Sequence, residues 1–158
     1  MASSLSVSKF LSKNYIEVWD HDPDTTAATV TTPDAGTTDK YVDMKGYGVF
    51  SVLVVQTVLG GNGVTKVEIV AAEDTSGTNL VVVKDSGTIA LNALTEWCAL
   101  ECTTAEIAQL AAENGYNLRY AAARITCHHS GDEAVVVYIA SNPTFSYSDL
   151  TADGAHTL

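Results

Sequence analysis

Residues 49–59 read V-F-S-V-L-V-V-Q-T-V-L, with Ser51, Gln56 and Thr57 as the only polar members. Side chains of an extended chain alternate between two faces. That alternation puts Phe50, Val52 and Val54 on one side and Val49, Leu53 and Val55 on the other. A strand apolar on both faces belongs in the middle of a protein. Whatever this chain folds into must therefore place material on both sides of residues 49–59.

The flanking sequence supplies more strands. Residues 15–20 (Y-I-E-V-W-D) alternate well enough for a first one, with Tyr15, Glu17 and Trp19 opposite Ile16 and Val18. Residues 20–39 are rich in Thr, Asp and Pro, and Pro23 and Pro33 bias their neighbours toward extended surface loop or edge strand. G-G-N-G at 60–63 is expected to turn the chain into a hairpin with residues 64–73, whose Val67, Ile69 and Ala71 face inward and Lys66 and Glu68 outward. Residues 80–84 follow after the turn D-T-S-G-T-N, and residues 118–128 and 134–140 are expected to form a last hairpin. One helix stands out: Thr103 and Glu106 have capping-box spacing, Ile107, Leu110 and Ala111 make a stripe, and Gly115 is placed to end it.

Turn signals every eight to twelve residues between short strands predict a mainly β fold. The expected architecture is an antiparallel two-sheet β-sandwich, jelly-roll or Ig-like, with one short helix near residues 104–114. A single domain spanning 15–148 would lie between a flexible N-terminal arm, 1–14, and a flexible tail, 149–158. An apolar share of 46% in 158 residues is ample for one core.

Nineteen acidic against eight basic residues give a net charge of −11, which argues against a nucleic-acid partner. It favours solubility by self-repulsion, or steering toward a basic protein surface. Three Cys form no paired framework, so the thiols are expected to be reduced. The N-terminal residues lack the continuous apolar stretch of a secretion leader. The longest apolar run, 134–140, is too short to cross a bilayer. These features predict a soluble product made in a reducing compartment, which stays there or leaves by lysis rather than by secretion.

The most chemically loaded stretch is C-H-H-S-G-D-E at 127–133. Strand alternation places Cys127 in an apolar row with Ala121, Ala123 and Ile125, leaving His128 and His129 at a polar turn. No nucleophile elbow occurs anywhere in the chain, so no catalytic residue is expected. Zinc on Cys98, Cys102, Cys127 and His129 would need two ligands four residues apart on one strand, roughly 13 Å from each other. Asp20, His21, Asp22, Pro23 and Asp24 resemble the opening of a calcium loop, but the positions that need Gly and Glu hold Thr25 and Thr31. No cofactor or metal is expected. Trp19 and Trp97 fit strand faces that pack inward, which weakens a carbohydrate platform. A ligand- or carbohydrate-binding sandwich remains the alternative from another functional class.

Two segments, V-E-I-V-A-A-E-D-T-S-G-T-N-L-V-V-V-K-D-S-G and L-R-Y-A-A-A-R-I-T-C-H-H-S-G-D-E-A-V-V-V-Y-I-A-S-N-P, carry a resemblance in style across roughly a third of the chain. They resemble the small virion proteins of tailed bacteriophages, most of all the head decoration (cement) proteins. The resemblance implies a non-enzymatic protein, often a homotrimer, that sits on the outer capsid surface and holds the major capsid protein together. Tail and head-fibre components share the same style. No family motif assigns residue roles. From the residues themselves, the arm combines Leu5, Val7, Phe10 and Leu11 with Lys9 and Lys13, and is expected to order on a partner. Self-association into a closed trimer is expected too, because sandwich edges and a two-faced apolar strand need cover.

Overall fold

The computed structural model describes residues 14–21, 30–31 and 41–142. Within them run β1 (Tyr15–His21), β2 (Val30–Thr31), β3 (Val42–Asp43), β4 (Val49–Val58), β5 (Val64–Ala72), β6 (Val81–Asp85), β7 (Trp97–Thr103), α1 (Thr104–Asn114), β8 (Tyr120–Cys127) and β9 (Glu133–Ser141). A front sheet has the order β1-β9-β4-β7. A back sheet has the order β2-β8-β5-β6, with β3 also pairing β8. All the pairings are antiparallel.

The pairings are nested. β1 pairs β9, β2 and β3 pair successive stretches of β8, β4 pairs β7, and β5 pairs β6. The described strands thus form one long two-stranded ribbon whose tip is the β5–β6 turn. That tip is fixed by Asp74, whose carboxylate accepts from the backbone N–H groups of Ser76 and Thr78 and from the Thr78 hydroxyl. The ribbon is rolled so that β9 also meets β4 and β8 also meets β5. With β2 and β3 taken as one interrupted strand, this is the double Greek-key order of a jelly roll. Of the two sandwich types expected, the strand order is the jelly roll's.

Two expected hairpins are not hairpins. Residues 60–63 join β4 in the front sheet to β5 in the back sheet, and residues 128–132 join β8 in the back sheet to β9 in the front. Both connections turn a corner between sheets, because β4 and β9, and likewise β5 and β8, find better partners in each other. The helix forms as its caps require. Thr103 accepts from the Glu106 N–H, the Glu106 carboxylate returns to the Thr103 N–H, and Gly115 closes the end at φ 72°.

The core lies between the sheets. Phe50, Val52, Val54 and Val136 from the front meet Val67, Ile69, Ala121 and Ile125 from the back, all fully or almost fully buried. Tyr138 is its largest member. Its ring meets those of Phe50 and Trp19 edge-on, at centroid distances of 5.1 and 5.9 Å.

The outer faces differ. On the back sheet, Glu68 is buried at 4% exposure and held by Arg124 and by Lys66 at 2.7 Å. Beside it, Val70, Ala72 and Ala122 are covered together with Tyr41. The front sheet's outer face carries Ile16 and Val18 of β1, the odd-numbered residues of β4 and β9, and Trp97 of β7. Val49, Leu53 and Val55 are half-buried there, so the second face of β4 is not closed by another layer among the described residues.

Candidate functional site

The polar cluster at 127–133 sits at the end of the sandwich where the two corner connections meet. Asp132 is fully buried, and its carboxylate accepts three backbone N–H groups: Gly60 at 2.9 Å, Gly61 at 2.8 Å and His129 at 2.8 Å. The first two belong to the connection after β4 and the third to its own. One side chain therefore clamps the two corners together. Close approach makes the glycines necessary. A Cβ on Gly60 would lie 2.6 Å from the Gly131 Cα, and one on Gly63, at φ 72°, would lie 1.8 Å from the Leu91 carbonyl oxygen.

Gln56 completes this end. It shares the inward row of Phe50, Val52 and Val54 and is fully buried. Its Oε1 accepts the Val64 N–H at 2.9 Å, while its Nε2 donates to the carbonyls of Glu133, at 2.9 Å, and Val58. The amide joins the end of β4 to the starts of β5 and β9. Neither Gln56 nor Asp132 was singled out by sequence reasoning. A lone Gln in the otherwise apolar inward row of β4 was the available signal.

The other titratable groups of the cluster do not converge. Cys127 is fully buried in the core, as its alternation predicts, and burial pushes its thiol up to about 12. His128 and His129 are exposed, and the His129 Nδ1 accepts the Gly131 N–H at 3.0 Å. Cys98 and Cys102 lie on β7 in the front sheet, whereas Cys127 lies in the back sheet. Burial raises the Cys102 thiol to about 12 and also raises that of Cys98. Among the described residues no three His, Cys, Asp or Glu side chains are grouped as metal ligands. Asp20 is exposed on β1, and Asp22, Pro23 and Asp24 lie outside the described residues. So do the arm residues Leu5, Val7, Lys9, Phe10, Leu11 and Lys13.

Trp97 corrects the sequence expectation. It is 64% exposed on the outer face of the front sheet rather than packed inward, because Cys98, Leu100 and Cys102 take the inward positions of β7. Trp19 packs against the core as expected. A shallow depression of about 320 Å³ beside β3 is lined by Tyr15, Tyr41, Val42, Asp43, Lys45 and Tyr47. It offers three tyrosines, one cation, Lys45, and one carboxylate, Asp43, which is paired with Arg119. Among the described residues no helix is long and apolar enough to cross a membrane. No protein-family model and no curated protein sequence matches the chain.

Proposed function

We propose that this is a non-enzymatic structural protein of a virion, acting as a capsid decoration protein on the outer surface of a phage head. The observation that carries this reading is the role of the polar cluster. Its buried carboxylate, together with the Gln56 amide, is engaged in holding the corners of a jelly roll, and its histidines are exposed. The fold type is one that viral capsid domains use. The partner in this reading is the major capsid protein, contacted through Leu5, Val7, Lys9, Phe10, Leu11 and Lys13. The test is immuno-electron microscopy of particles from the native source. Regular labelling of capsid exteriors supports the proposal, and label on no particle overturns it. Deleting residues 2–13 should weaken attachment while leaving the melting temperature nearly unchanged.

A ligand-binding reading is favoured by one observation, the depression shared by Tyr15, Tyr41 and Tyr47. Jelly rolls also serve as lectins. Binding on a glycan array that Tyr47→Ala abolishes would favour it over the virion reading.

A further inference from the structure

We propose that the outer face of the front sheet is the contact surface for a second copy of this chain, related by a two-fold axis parallel to the strands. The registers arrange this face in rows across β1, β9, β4 and β7. The middle row is Val18, Val137, Leu53 and Ala99, without a polar side chain. On one side of it runs Ile16, Ile139, Ser51 and Glu101, and on the other Asp20, Val135, Val55 and Trp97. Val18 and Trp97 are 61% and 64% exposed. In a chain of net charge −11, the acids of these rows stand only at two corners, Asp20 on the β1 edge and Glu101 on the β7 edge.

That diagonal placement is what selects a second copy. A two-fold axis parallel to the strands exchanges β1 with β7 and β9 with β4 while keeping each row opposite itself. Asp20 then faces Trp97 of the partner subunit, and Glu101 faces Ile16 of the partner subunit. In the middle row Val18 faces the partner's Ala99, and Val137 faces the partner's Leu53, larger against smaller or like against like. No acid meets an acid, and both carboxylates stay at the rim where water reaches them.

The size agrees with a reversible pair. Four strands at about 4.8 Å spacing and seven residues at about 3.3 Å rise give a face of roughly 19 by 23 Å. Two such faces remove on the order of 900 Å² of projected surface, under the roughly 1,000 Å² of a stable specific interface and in the range of weak, transient ones. Sheets stacked this way lie about 10 Å apart, with their strands within about 30° of alignment. Among the described residues the back sheet offers no equivalent surface, because its outer face carries the Lys66–Glu68–Arg124 network.

The test is sedimentation velocity of the full chain from low to high micromolar concentration, with circular dichroism to confirm folding. Wild type should pass from monomer to dimer as concentration rises. Val18→Lys and Ala99→Glu should each weaken dimerisation by about tenfold or more, since each buries an unpaired charge. Mixing the two variants should restore a dimer, because the introduced lysine of one copy then faces the introduced glutamate of the other. Three outcomes overturn the proposal: a wild-type monomer throughout, a dimer or trimer that Val18→Lys leaves intact, or folded single variants that fail to pair when mixed.

Discussion

The phenol oxygen of Tyr138, in the front sheet, accepts the backbone N–H of Ala123 in the back sheet at 2.7 Å. Ala123 lies where β8 passes from the stretch paired by β3 to the stretch paired by β2. A side chain from the opposite sheet thus satisfies a backbone donor in the middle of the core, and burial holds the phenol protonated far above its ordinary range. Tyr138→Phe keeps the ring and orphans the N–H. It should cost about 1–3 kcal/mol in urea unfolding, with little change in the denaturant slope.

Asp132 gives a graded prediction. Asp132→Ala removes the acceptor for three N–H groups at once and should destabilise by about 2–4 kcal/mol. Asp132→Asn keeps one carbonyl oxygen for Gly60 and Gly61 and should fall between the alanine variant and wild type. Equal losses in both variants would mean that charge, rather than the clamp, matters here.

Two glycines separate crowding from backbone freedom. Gly60→Ala drives a Cβ to 2.6 Å from backbone atoms and should cost about 3 kcal/mol or more, or prevent folding. Gly87 has φ +67° and nothing within 4 Å of an added Cβ, so Gly87→Ala should cost only about 1 kcal/mol. Thermal melts of the pair would show the difference.

Acid should weaken the back sheet through Glu68. The Arg124 guanidinium beside it, with help from Lys66, holds its carboxyl below the usual carboxylate range despite burial. A lowered folded pKa means that its stabilisation is present above the unfolded pKa and disappears as pH falls through the folded value. The melting-temperature gap between wild type and Glu68→Gln should therefore be widest near neutrality and close on acidification. A gap that stays constant with pH would contradict this.

Thiol reactivity should follow burial. Cys98 is half-buried, while Cys102 and Cys127 are buried with thiols raised to about 12. Timed alkylation of the native protein near pH 8 should label Cys98 first, with the other two reacting only as the sandwich opens.

Local rules were legible in the sequence and long-range ones were not. Thr103, Glu106 and Gly115 announced the helix because a cap is written in neighbouring residues. Alternation placed Cys127, Val67 and Ile69 inward for the same reason. The two corner connections escaped it because Gly60–Gly63 suits a hairpin turn and an inter-sheet corner equally well. What decides between them is whether β4 pairs with β5 or with β9, a contact across some eighty residues. Trp97 was misplaced because β7 alternates Cys, Leu and Cys against Trp, Ala and Glu, and the row that packs inward is chosen by the opposite sheet. The Asp132 clamp joins two connections far apart in sequence, so no local pattern could display it.

The strand order also bears on synthesis. β9 is an interior strand of the front sheet, flanked by β1 and β4, yet it is the last of the described strands to leave a ribosome. Until residues 133–141 emerge, β1 and β4 border an empty slot and each presents an unpaired edge. The front sheet must close after translation has passed this point. A chain that waits too long with its slot open can accept the same strand from a neighbour, so crowded expression should favour strand-exchanged pairs that dilution does not dissolve.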